Sequence, residues 1–289
     1  MQRLTTKRLI LQRLTQCILL IGGLAMLGAA WGFITRAPWA TSWWMLPDSP
    51  LSYSFIAAMQ AAIAVAMLWI GLTGALHVIA AGSLNLIVMF TGMAVYLLRQ
   101  DRVENPEMWS YGIGSVLFVL CNIGLFWWAS GWPVLDQRPV PSGVRIAYWI
   151  FVAFLLGVGI ALLFQTRNVL PWTLQSATSA LFGWMFLGDA AYFFYGLRSP
   201  HWGNSATQLW SFLAYDAILI GPFLAHFAKV APELRNSLIV YTAVLFFSAG
   251  VALYYLFWNP QSCIWGQSAQ LPGGQNNGGG PYETAVRGG

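Results

Sequence analysis

Apolar runs of about twenty residues, separated by short polar or proline-bearing stretches, recur along the chain as far as Trp258. As a helix rising 1.5 Å per residue, a run of about 20 residues crosses a hydrocarbon core of about 30 Å. Eight such runs are read, at 17–35, 52–73, 76–98, 111–131, 146–165, 174–197, 206–228 and 237–258. The predicted fold is therefore an all-α integral membrane protein with eight transmembrane helices. So few residues separate the second run from the third that these two are expected to form a tight hairpin.

The runs also repeat, at an offset of about 128 residues. Val116-Leu117-Phe118 followed by Leu125-Phe126-Trp127 returns as Val244-Leu245-Phe246 followed by Leu253-Tyr254-Tyr255. Phe33-x-Thr35-Arg36 returns as Phe164-x-Thr166-Arg167, and Trp44-x-Leu46 as Trp172-x-Leu174. Helices one to four then map onto five to eight. An even number of helices per unit gives both halves the same orientation, a 4+4 parallel tandem pseudo-repeat. The organisation read is a first four-helix unit over 1–133, a second over 134–258, and a flexible Gly/Pro/Asn-rich tail over 259–289. Trp39, Trp43 and Trp44 sit between two prolines before the second helix, a segment too interrupted to span and suited to the membrane interface.

Composition agrees with the pattern: 58% of residues are hydrophobic and only 8% charged, leaving too little polar sequence for a sizeable soluble domain. The net charge of +5 is scattered. It reads as helix-end anchoring on anionic lipid, not as nucleic-acid binding. Arg3, Lys7, Arg8 and Arg13 precede an apolar stretch too long for a signal peptide and without an A-x-A site, so this is read as an uncleaved first helix. With the N-terminus inside, Arg3, Lys7, Arg8, Arg13, Arg138, Arg145, Arg198 and Arg287 are cytoplasmic. Arg36, Arg99, Arg102, Arg167, Lys229 and Arg235 then lie outside, which favours the bacterial cytoplasmic membrane with both termini cytoplasmic.

Within the runs the only acidic residues are Asp189 and Asp216, one in each arm of the sixth and seventh helices, roughly 12 and 15 Å from their shared turn. A charged Asp near a bilayer centre costs about 2.5–3.5 kcal/mol, so each calls for a partner, a proton or a function. The repeat aligns Asp189 with Gln60 and places Asp216 near Asn85. Together the four outline a polar site between the halves, flanked by Tyr192, Tyr195 and Tyr215, whose helix hairpin leaves the two carboxyls free to approach. The plainer reading is interhelical hydrogen bonding that holds the bundle together.

His77 begins the third helix and His226 ends the seventh, at opposite faces, so a bis-histidine haem is not expected; each is read as an interfacial hydrogen-bonded histidine, with a pigment or haem on a single one as the alternative. His201 is placed in a solvated inner loop. Gly28 and Gly32, with Gly159 one offset later, read as close helix contacts. Sixteen Trp, eleven Tyr and eighteen Phe exceed what interfacial belts need and suit lipid, quinone or pigment packing. Cys17, Cys121 and Cys263 have no paired spacing. There is no P-loop, HExxH, GxSxG or metal spacing, nor a lysine within a span, so the chain is read as no enzyme.

Trp-x-Leu entering a helix, then Phe182-Gly183-x-x-Phe186-Leu187, then Ala243-Val244-Leu245 to Leu253-Tyr254, resembles bacterial polytopic membrane proteins of unassigned function built on a duplicated four-helix unit. That resemblance implies a membrane fold and no activity. The functional expectation is a non-catalytic membrane subunit that packs in or stabilises a larger complex, such as an energy-converting one, with lipid and other membrane subunits as partners. The alternatives are a proton-coupled or small-molecule transporter using Asp189 and Asp216, and a pigment- or haem-binding protein.

Overall fold

The computed structural model describes residues 2–42, 44, 46, 49–100 and 105–263. Trp43, Arg102, Arg287, the Arg3 side chain and tail residues 264–289 lie outside the described residues.

Within the described residues nine α-helices follow one another: α1 (Gln2–Ile34), α2 (Pro38–Thr41), α3 (Pro50–Thr73), α4 (Ile79–Leu98), α5 (Pro106–Ser130), α6 (Ser142–Leu163), α7 (Ser176–Arg198), α8 (Trp202–His226) and α9 (Arg235–Leu253). All but the single turn α2 belong to helices long and apolar enough to cross a membrane. Among the described residues there is no strand, only one β-bridge between Pro139 and His201.

Local chemistry sets the boundaries. Pro38, Pro50 and Pro106 start α2, α3 and α5, where a fixed φ suits the first turn and a missing N–H costs nothing. The Ser49 hydroxyl caps α3 by accepting from the Ser52 N–H at 3.2 Å. Gly74, at φ 73°, ends that helix in the left-handed conformation. α1 is longer than its apolar run from 17 onward, because hydropathy marks where a helix is greasy. Helix formation continues through Lys, Arg and Gln in a stretch free of Gly and Pro.

The packing corrects the expected hairpin. α3 and α4 are joined as tightly as expected, by Gly74, Ala75 and a 3₁₀ turn over Leu76–Val78, yet they diverge from that turn and do not lie side by side. Instead α1 packs on α3, α4 on α5, α6 on α7 and α8 on α9, and the pairs interlock crosswise, α3 on α8 and α4 on α7. α7 and α8 likewise meet chiefly beside their shared turn, where the Gln208 side-chain amide donates to the Tyr192 carbonyl.

Small residues explain the preference. Ala57, Ala58, Ala61 and Ala64 are buried on α3, and a Cβ on Gly92 of α4 would overlap the Trp184 ring of α7. In lipid, helices associate where such residues let backbones approach.

Two sequence readings change here. A Cβ on Gly28 would meet nothing within 4 Å, and Gly32 receives the Trp39 ring of α2 rather than a neighbouring long helix. The contact with α3 falls instead on Gly22 and Gly23, against Met67 and Leu68, whereas Gly159 does lie against α7 at Gly183 and Leu187. The Phe-x-Thr-Arg match is not a structural equivalence either, since Phe33 is 4% exposed and Phe164 81%. The left-handed residues that end α1 and α6 are Arg36 (φ 53°) and Gln165 (φ 54°), where Ala37 N–H donates to Gly32 O and Thr166 N–H to Ala161 O.

Candidate functional site: buried carboxylates between crossed helix pairs

Asp189 lies on α7 and Asn85 on α4, and the Asn85 side-chain N–H donates to Asp189 Oδ1 at 2.8 Å. Gly188 permits the contact. A Cβ there would stand 2.6 Å from Asn85 Oδ1 and 2.8 Å from the Asn85 carbonyl. Asp216, on α8, is 1% exposed, and its Oδ2 accepts from the Ser248 hydroxyl of α9 at 2.7 Å. Its other oxygen, Oδ1, is buried with no hydrogen-bond partner.

The two carboxyls therefore hydrogen-bond different neighbours and not each other. Divergence of α7 from α8 hands each carboxyl to a different neighbour. Tyr215 precedes Asp216 on α8, and its ring stands edge-on to Phe55 of α3 with 6.1 Å between ring centres. Gln60 Oε1, Asn85 Oδ1 and the Tyr241 hydroxyl are also buried without a partner. Buried polar atoms without a hydrogen-bond partner also occur elsewhere in the bundle, at Trp44, Ser83, Thr178 and Asn204.

The sequence reading missed how polar α8 is. Asn204, Ser205, Thr207, Gln208 and Ser211 are all buried, as are Tyr241 and Ser248 on α9. A signal was there: α7 and α8 are the least apolar of the eight long helices, and Asn204, Gln208 and Ser211 recur at helical spacing.

Both ends of this centre are tied. At the end where α1 begins, the segment between α5 and α6 lies over the α7–α8 turn. Trp202 N–H donates to Arg138 O at 2.9 Å, and Asp136 forms an ion pair with Arg138 at 2.7 Å. His201 takes part through the Pro139 bridge and is half-buried, not freely solvated. His77 sits beneath, 6% exposed, near His201 and Asp136, with neither ring nitrogen hydrogen-bonded. At the far end the Trp172 indole N–H donates to the Ser52 hydroxyl at 2.8 Å, and His226 Nε2 lies 3.0 Å from Pro171 O. His77 and His226 thus stand at opposite ends of the bundle.

Cys17, Cys121 and Cys263 are free thiols. Among the described residues no three His, Cys, Asp or Glu side chains gather as a metal site. No family model matches the chain, and no curated protein or solved structure is detectably similar to it.

Proposed function

We propose that this chain is an integral protein of a bacterial cytoplasmic membrane that couples proton movement to passage of a small polar solute between its halves. In this reading 1–133 and 134–258 are copies of one four-helix unit in the same orientation, with both termini cytoplasmic. Crossed packing supports the duplication. The second helix of each unit (α3, α7) lies on the third of the other (α8, α4), as exchange symmetry requires.

The observation that carries the reading is the Asn85–Asp189 hydrogen bond, which joins the two proposed units through an intramembrane carboxyl. A carboxyl is costly to place within a membrane span, and one held by a single neutral donor between the proposed units supports a role in handling a proton. The test needs no knowledge of the solute. Reconstituted on a solid-supported membrane, the protein is expected to give a protein-dependent transient current after a pH jump. Asp189→Asn and Asp216→Asn, both near-isosteric, are expected to abolish it while elution in detergent stays monodisperse. Absence of any such current in the unaltered protein removes the proposal.

A second reading, a non-catalytic subunit of a larger complex, rests on the start of α1. Gln12 and Gln16 stand beside Gly74 at the end of α3, so the turns before them run on without that neighbour. They expose Leu9 (60%) and Ile10 (63%) beside Lys7 and Arg8. Gentle solubilisation from native membranes tests it. A stoichiometric co-purifying protein supports the subunit reading, and a lone monodisperse chain opposes it.

A further inference from the structure

We propose that His77 is the trigger of a pH-operated latch, which on taking up a proton releases the segment between α5 and α6 from the α7–α8 turn. Such a latch works whatever the chain carries, so it stands beside the transport reading and does not depend on it.

His77 lies in the 3₁₀ turn between α3 and α4, and its ring reaches the place where that turn, the α5–α6 segment and the start of α8 converge. Gly203, in the first turn of α8, marks the point. A Cβ there would stand 3.4 Å from His77 Nε2 and 3.6 Å from both the Cβ and the carbonyl oxygen of Asp136. The ties that close this end of the bundle pass the same spot. Gly203 N–H donates to Asp136 O at 3.4 Å, Trp202 N–H donates to Arg138 O at 2.9 Å, and Pro139 bridges to His201.

The ring is held in a form suited to only one charge state. His77 is 6% exposed, and among the described residues it is the one side chain with two buried polar atoms lacking a hydrogen-bond partner, Nδ1 and Nε2. A neutral imidazole tolerates such a site. An imidazolium carries a full charge and two N–H donors, which must meet acceptors or water.

The surroundings hold no uncommitted counter-charge. The charged or titratable groups around the ring are His201 of the α7–α8 turn, Asp136 and Arg138 of the α5–α6 segment, and Tyr195 of α7, which packs on the cluster containing Leu76 and Val78. The adjoining stretches of α3 (69–73), α4 (79–95), α5 (126–130) and α8 (202–214) contain none. Asp136 gives both carboxylate oxygens to Arg138, Oδ2 accepting from Nη2 at 2.7 Å and Oδ1 from Nε at 3.0 Å. His201, once charged, repels. A proton on His77 therefore either draws Asp136 off Arg138 or drives the ring toward water, and both courses shift the Asp136 backbone that holds Gly203. The latch is closed while His77 is neutral and opens as pH falls through the histidine range.

The test follows backbone hydrogen exchange in the peptide carrying Trp202 and Gly203, using the full chain in mild detergent at about pH 7.5 and about pH 5.5, a window in which histidine changes charge. Labelling times are scaled for the intrinsic pH dependence of amide exchange. Protection of this peptide is expected to fall about tenfold or more at the lower pH, while peptides within α3 keep theirs. His77→Leu and His77→Gln, uncharged at either pH, are expected to keep the latch closed at both. His201→Asn is expected to retain the response. Unchanged protection in the unaltered protein, the same fall in the His77 variants, or a fall abolished by His201→Asn overturns the assignment. A latch open at about pH 7.5 in both His77 variants overturns it as well, because the ring would then be a packing prop. A pH response in a protein that moves no charge keeps the latch and removes the transport reading, and charge movement without the response does the reverse.

Discussion

Ser248 is a small residue with a large lever, because among the described residues its hydroxyl is the one group that hydrogen-bonds the Asp216 carboxyl. Ser248→Ala strips a buried carboxyl of its donor and is expected to cost about 1–3 kcal/mol, read as a lower unfolding midpoint in detergent. Asn85→Leu should cost a similar amount through Asp189, and an Asn85→Leu/Asp189→Leu double variant should recover much of it. Leaving one member of a buried polar pair alone is worse than removing both. An equal loss in the double variant would mean that the Asn85–Asp189 contact is not the source.

At this scale the sequence was legible where chemistry is rare and opaque where it is common. Asp189 and Asp216 stand out in apolar runs, and the repeat pointed from them to Gln60 and Asn85. Ser248 and Tyr241 did not stand out, because hydroxyls are ordinary in membrane helices and only tertiary contact tells which of them meets a carboxyl. Gly28 and Gly32 carry the spacing of a packing motif, yet Gly22 and Gly23 make the contact. Spacing fixes the face they share, not what that face meets.

Among the elements, α7 and α8 are most constrained. α7 presents Gly188 to Asn85 and Gly196 to Gln208, where an added Cβ would overlap the respective side-chain oxygens. Gly188→Ala is expected to push α7 off α4, lowering stability by about 1–3 kcal/mol and weakening the Asn85–Asp189 bond. Unfolding midpoints of Gly188→Ala and, as a control, Gly28→Ala should diverge, because Gly28 faces open space. Equal midpoints would refute close α4–α7 contact. α8 also contains Pro222, which cannot donate to the carbonyl four residues back, so the helix lacks one backbone hydrogen bond beyond Asp216. The final turn of the last helix widens to a π-helix over Tyr254–Trp258, another local departure of the kind found at functional sites.

Helix number and order were readable from apolar run length alone, since the length that crosses a bilayer is set by physics outside the protein. Which helices touch was not, because nearly every face of these helices is apolar and lipid supplies no pattern to oppose it.

For the whole molecule the decisive fact is that α3 and α4 find their principal second partners in α8 and α7. Residues 1–133 and 134–289, expressed as two separate chains, are expected to accumulate poorly alone and to co-purify when expressed together. Stable accumulation of the first chain alone would show that the crossed packing is dispensable. The segment between α5 and α6 reinforces the arrangement, since the Asp136 and Arg138 carbonyls accept the backbone N–H groups of Gly203 and Trp202 and so tie it to the α7–α8 turn. α3 is complete at Thr73, but its second partner, α8, spans Trp202–His226. At a synthesis rate of about 5–20 residues per second, α3 waits roughly 7 to 30 s for α8 to emerge. During that interval its alanine face has only lipid, α1 or the insertion machinery for company. A ribosome stalled before residue 202 leaves a chain with all the helices of its first half inserted and no mature centre, the species that membrane quality control would be expected to meet first.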